Sequence, residues 1–355
     1  MSIYPEKLGY VCAKKETTYN TDPTVAIPAD LLYCEDLSHE VNYTMIARTG
    51  ESPKRAGFKM VKGPLDAPIS LAVELDQFSV VDATSLPVCD PILHCCGFER
   101  TASVGGDNKT QTYLLQTAGH GSTWFEIAEV NEDEDDVIKY TYGGVRGDFS
   151  LTIAGEDRWM FSMDGNAASA TDPARTGSGP AAGVDFDGNL CALPAGTQGI
   201  VTISVVEDST TYPVASALLH SAEFQGNMNL QAKNGVNGRQ VKLVPVDPIG
   251  GSLSLEQVDL NEGFNPWDIR NESKVLLITL YSQDLTWTGF TPAVDGQYMI
   301  ISGTFVCSEF SKGLNLGART WDLTLAGSYP DDSSDGGGLD PVDDFKIIFG
   351  EYTAP

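Results

Sequence analysis

Histidine and cysteine come together once in this chain, at His94-Cys95-Cys96, so any metal chemistry would have to begin there. A zinc site needs four converging ligands, commonly offered as spaced pairs such as C-x2-C. Three adjacent residues on a short helix point in different directions, and the triplet reads as helix packing. Nucleophilic catalysis fares no better. GHGST (119–123) has the wrong order for a G-x-S-x-G elbow, and His39, His94, His120 and His220 are scattered. DFDGN (185–189) opens like a calcium loop but lacks the remaining spacing and the terminal glutamate, so it reads as a turn. Arg146-Gly147-Asp148 at a strand start carries no chemistry of its own. Among 49 acids no pair is singled out for sugar hydrolysis. The chain reads as a non-enzyme, with no metal and no cofactor.

What rises above this background is positive charge. The chain carries a net charge of −27 at pH 7, yet five basic residues gather between Ile46 and Lys62: Arg48, Lys54, Arg55, Lys59 and Lys62, against one acid, Glu51. Between Gly226 and Val246 stand Lys233, Arg239 and Lys242 with no acid. Such loops suit docking onto an acidic surface of a neighbouring subunit, where complementary charge guides encounter and register. The overall charge itself repels nucleic acid and anionic membranes, which argues against a nucleic-acid binder.

These segments sit among strands. The 36 glycines and 19 prolines fit short strands joined by turns, and no run of 18 apolar residues occurs. Seven cysteines without regular spacing point to reduced thiols, and the N-terminus lacks an apolar leader core, so synthesis without export is expected. Residues 1–30 are polar and turn-rich, an extended arm rather than a packed element. Residues 46–63 read as a long loop or protruding hairpin, and 226–247 as a loop. Ile69, Leu71, Val73 and Leu75 give a period-2 strand. Pro91 to Gly97 reads as a short helix with Gly97 at its C-terminal end. Phe149–Ile153 and Arg158–Met163 form the best hairpin. Residues 166–189 have linker composition. Strands recur at 200–206, 218–224, 252–258, 274–281, 298–307, 319–327 and 345–352, with a helical turn at 264–270.

The same β-rich plan appears twice. LLYCEDLSHEVN (31–42) answers to LLHSAEFQGNMN (218–229), PISLAVEL (68–75) to GSLSLEQV (251–258), DPILHCC (90–96) to NPWDIRN (265–271), and RWMFSMDG (158–165) to TWDLTLAG (320–327). The matches keep their order, as if the second copy had shorter loops. The expected organisation is all-β: a first copy over 1–165, a linker and extra strand over 166–211, and a second copy over 212–355, each copy with one short helix.

Arranged this way, the chain resembles the tail tube proteins, the major tail proteins of long-tailed phages. The resemblance runs through KKETTYNTDPTVAIPADLLYCEDLSHE (14–40), PISLAVEL, DPILHCCGFE (90–99) and GVRGDFSLTIAGEDRWMFSMDGNA (144–167). It resumes at DPIGGSLSLE (247–256), FNPWDI (264–269) and YMIISGTFVCSEFSKGLNLGARTWDLTLAG (298–327). Segments 100–143 and 166–211 match poorly.

The resemblance implies two tandem β-sandwich or barrel-like tube domains whose sheets join laterally into a ring. Rings stack into a hollow tube with an acidic lumen, through which DNA passes without specific binding. A trimer with pseudo-sixfold symmetry is favoured over a hexamer. The implied partners are the chain itself, the tail terminator, the tape measure and the baseplate or tip proteins, with no membrane. The implied location is the virion tail, assembled in the host cytoplasm. The loop before the second strand, residues 46–63 and its counterpart 226–247, is implied to reach the adjacent ring. The alternative is a virion decoration or host-recognition protein.

Overall fold

A computed structural model of the chain describes residues 9–27, 29–46, 61–75, 86–103, 105–116, 120–130, 137–154, 159–171, 174–176, 200–205, 211–212, 219–235, 238–245, 248–256, 266–271, 274–282, 287–288, 291–292, 296–315, 318–327 and 345–352. The fold is all-β: antiparallel strands dominate, and the two helices are six residues each, Asp90–Cys95 and Pro266–Asn271.

One antiparallel sheet runs through the described molecule. Its first four strands, in spatial order, are Glu35–His39, Pro68–Glu74, Met160–Asn166 and the second half of Val137–Ala154. The next four are Leu219–Gln225, Gly250–Glu256, Ala318–Gly327 and the second half of Gly296–Asn315. Both quartets follow one plan along the chain: edge strand, hairpin, second strand, helix, outer strand, long strand, return strand. The internal repeat of the sequence is thus a repeat of topology. Alternation explains the strands, since Ile69, Leu71 and Val73 face inward in one quartet and Leu253, Leu255, Leu323 and Leu325 in the other.

Each long strand belongs to two layers. Val137–Ala154 pairs first with Thr123–Val130, which pairs in turn with Gly9–Lys15. It shifts register between Tyr142 and Val145 and then enters the inner sheet. Gly296–Asn315 pairs first with Lys346–Tyr352 and Val275–Tyr281, enters the same inner sheet from Phe305 by pairing with Ala318–Gly327, and shifts register there between Cys307 and Glu309. The second outer layer continues through Ile200–Val205 on one side. On the other side it continues through Asn108–Leu115 and Phe98–Ser103. Residues 98–115 therefore complete the outer layer of the second copy although they lie in the first.

Two expectations require correction. Residues 9–15 are a packed strand and not part of an extended arm: Val11, Cys12 and Ala13 are buried between neighbours. Glu16, also buried, is satisfied by the Asn20 amide at 2.7 Å, the Ser122 hydroxyl at 2.6 Å and the Gly144 amide at 2.7 Å. Lys15 reaches the buried Asp90 at 2.7 Å. The loop expected over 226–247 is a hairpin, Met228–Gly235 paired with Gly238–Pro245. Its counterpart pairs Asn42–Ile46 with Val61–Asp66. Arg48, Lys54, Arg55, Lys59, DFDGN, Cys191 and most of the linker lie outside the described residues. The six described cysteines are free thiols.

The core is continuous across the two copies. Phe149 stacks on Phe161 at 5.5 Å and on Phe345 at 5.8 Å, and Phe345 lies 5.3 Å from Phe224. Phe224 in turn lies 5.4 Å from Phe305. These aromatic contacts bind the halves through their interior as well as through the sheet.

Candidate assembly surface

The two copies meet along a seam. Ser150–Ala154 of the first pairs antiparallel with Ser221–Gln225 of the second, so the last strand of one quartet is zipped to the first strand of the next. Just beyond the ladder, the Asp148 carboxylate accepts the Met228 amide at 3.0 Å, and the Phe149 carbonyl accepts the Gly226 amide at 3.0 Å. Burial raises the Asp148 carboxyl above its ordinary range, partly offset by the amides of Phe149 and Met228.

The second hairpin then folds over the first copy. Met228, Val241 and Leu243 are buried there. The Val241 amide donates to the Tyr19 hydroxyl at 2.7 Å, and its carbonyl accepts Arg146 at 3.0 Å. Arg146 also donates to the carbonyls of Gly121 and His120 at 3.0 and 2.7 Å. The Arg-Gly-Asp triplet is therefore seam structure. Nearby, His94 is pushed down to about 4 by burial, with Lys15 adding to the effect, and burial also lowers His120. Among the described residues no three potential metal ligands converge.

At either end of the inner sheet an edge of the same kind has no described strand beside it. Glu35–His39 pairs on one side with Pro68–Glu74, and no described strand lies on its other side. Val275–Tyr281 occupies one flank of the second long strand as far as Val306. Beyond that, Cys307–Asn315 has Ala318–Gly327 on one flank and no described strand on the other. Seven large apolar side chains are exposed among the described residues. Three of them, Tyr33, Leu37 and Leu314, lie on or beside these two edges, and Met45 and Ile46 lie on the first hairpin.

The basic residues divide unevenly. Lys233 and Lys242 are exposed on the second hairpin. Lys62 is exposed on the first, its ammonium 3.4 Å from the centre of the Tyr43 ring. Arg239 is only 6% exposed in its side chain and is engaged within the chain. It donates to the Leu65 carbonyl and to Asn166 at 2.7 Å, so it ties the second hairpin to the base of the first. That role was invisible in the sequence, because its partners lie 174 and 73 residues away.

The solvent face of the inner sheet is polar and acidic. One row of paired residues crosses the two copies as Thr152, Glu223, Ser252, Thr324 and Glu309, and runs at its first-copy end into Met160 and the buried Glu74. A second row reads Ala154, Ser221, Ser254, Asp322 and Ser311. Neither row holds a basic residue. Over the seam this face dips into a groove of about 490 Å³ lined by Asp36, Asp148, Asp164, Gln225 and Asn227 with Ser70, Ser150 and Ser162. No protein-family model matches the chain, and no curated protein matches it in sequence.

Proposed function

We propose that this chain is a structural subunit of a phage tail tube, forming rings that stack into a hollow conduit for genome delivery. The observation that carries the reading is the seam. Within one chain, the last strand of a quartet is already zipped to the first strand of the next, and an edge of each kind has no described strand beside it at the two ends. Open edges are an aggregation hazard unless they are paired, and head-to-tail pairing through unlike edges closes into a ring when the rotation allows. With two quartets per chain, three copies supply six equivalent units, which favours the trimer.

The acid-and-hydroxyl face of the sheet suits a lumen wall: it repels the phosphate backbone, so DNA slides past without sticking. Lys62, Lys233 and Lys242, with Arg48, Lys54, Arg55 and Lys59, are assigned to contacts between stacked rings. The tail terminator, tape measure and baseplate or tip proteins are the further partners of such a tube. Electron microscopy of concentrated protein tests the reading. Stacked rings with a hollow centre and threefold symmetry of six lobes are expected. Discrete particles that never polymerise, even beside intact virions, would favour a decoration or host-recognition protein instead.

A further inference from the structure

The two end strands of the inner sheet carry opposite charge. Along residues 33–40 the first holds three acids, Glu35, Asp36 and Glu40, and no lysine or arginine. Its one histidine, His39, is half-buried against Tyr140 and Tyr142, with the Tyr142 hydroxyl at 2.8 Å.

The second end strand is basic on its core-side face. Lys312 lies opposite Trp321 and Leu314 opposite Arg319, and Arg270 stands on the helix packed beside this strand. All three cations are exposed, and none forms an ion pair among the described residues. Glu309 and Asp322 belong to the other face of the sheet, where Glu309 lies opposite Thr324 and Asp322 opposite Ser311 and Ser254. In a chain of 49 acids, three cations gathered at one sheet end without an acid suit an acidic partner.

Aromatic rings hold two of these cations in place. Trp267 lies 4.8 Å from Phe310 and 5.2 Å from Trp321, ring centre to ring centre. The Arg270 guanidinium is 5.3 Å from the Phe310 ring, and the Lys312 ammonium 5.3 and 5.2 Å from the two indoles. Trp321 is buried, whereas Trp267 and Phe310 are half-buried.

The seam shows what this position receives. There Leu151, opposite Phe161, pairs with Phe224, and both are buried. Phe161 answers to Leu323 in the repeat, and Leu323 lies opposite Phe310. Phe224 answers to Leu37, which stands 36% exposed within the register shift of the first end strand. Leu37 and Phe310 are thus the end-strand counterparts of a buried pair. They lie at opposite ends of one eight-stranded sheet, so the occupant that fits is a second copy.

We propose that the acidic end strand of one copy docks on the basic end strand of the next, Leu37 packing on Phe310 and the acids of residues 35–40 drawn to Arg270, Lys312 and Arg319. This rests on the ring reading and names what decides which edges meet. Like ends would bring acid to acid or cation to cation, so association runs head to tail.

The experiment compares wild type with Leu37→Ala, Phe310→Ala, their double variant and Lys312→Glu. Sedimentation measures self-association at low and high salt. Each single alanine variant should weaken self-association about tenfold, and the double variant about tenfold again rather than about a hundredfold, because both changes remove one contact. Lys312→Glu should weaken self-association at low salt and regain part of it as ionic strength rises. Fully additive losses in the double variant would overturn the Leu37–Phe310 contact and leave the ring reading standing. A Lys312→Glu protein that assembles like wild type at low salt would overturn the selection by charge. A wild-type protein that stays monomeric at every concentration would overturn both the proposal and the ring reading.

Discussion

The seam between the two copies and the two open ends of the inner sheet present the same parts in two states. In the seam, the edge strand is paired, the hairpin root is bonded to a carboxylate, and the aromatic beneath it is buried. At the ends, the edges have no described strand beside them, and on one of them Glu309 is exposed and Phe310 half-buried. The seam stabilises the fold from within the chain, and the proposed ring assigns the two open edges to pairing between copies.

The sharpest way to break the comparison is to remove one aromatic from each side. Phe149→Ala should cost about 3–5 kcal/mol of folding stability, because a fully buried ring and its stacking partners are lost. Phe310→Ala should cost only about 1 kcal/mol in the monomer, since half its ring is already in water. Its larger effect should fall on self-association. Urea titration and sedimentation of both variants check this, and equal losses of folding stability would mean that the open end of the sheet is packed as tightly as the seam.

Sequence reading reached the strands and helices because their signals are local. Ile69, Leu71 and Val73 alternate, Pro91 opens the first helix, and Gly97 follows it at a φ of +93°. Gly9–Lys15 escaped because Lys14, Lys15 and Glu16 look solvated in sequence. In space they are paired with Asp30, Asp90 and Ser122, the nearest of which is 16 residues from its partner. The second hairpin escaped although Asn234 to Gly238 reads NGVNG, a turn signal between apolar runs. The assembly surface was half legible. The repeat itself was visible, but the seam that joins Ser150–Ala154 to Ser221–Gln225 pairs residues too far apart in the chain for any local signal to show it.

Acid should weaken the folded side of the comparison. His39, His94 and His120 are all lowered, mainly by burial, and all three lie in the first copy. A histidine whose folded pKa lies below its unfolded value of about 6.5 favours the native state fully above that pH. The contribution is lost as pH falls, for His94 between about 6.5 and about 4. Each such group adds a slope of up to about 1.4 kcal/mol per pH unit within its window. Asp148, raised by burial, acts with the opposite sign, its contribution being fully present at low pH and lost as pH rises through its folded value. Unfolding midpoints between pH 7 and 4 should therefore fall, and His94→Gln should flatten the decline. An unchanged slope in that variant would remove His94 as its source.

The smallest effect on folding should come from the most exposed large apolar residue among those described. Leu314 is 74% exposed near the end of the open edge strand, on the same face as Phe310. Leu314→Lys removes little buried area from the monomer, and surface changes of this kind shift stability by no more than about 0.5 kcal/mol. If the open edge is an interface, the same substitution places a charge where apolar contact is needed and should weaken self-association about tenfold. Salt separates the causes. Loss of apolar contact should persist at high ionic strength, whereas charge repulsion between copies should be relieved as screening shortens. A Leu314→Lys protein that assembles like wild type at both low and high salt would place the closing contact away from this end of the sheet, and would leave the filled seam without a counterpart.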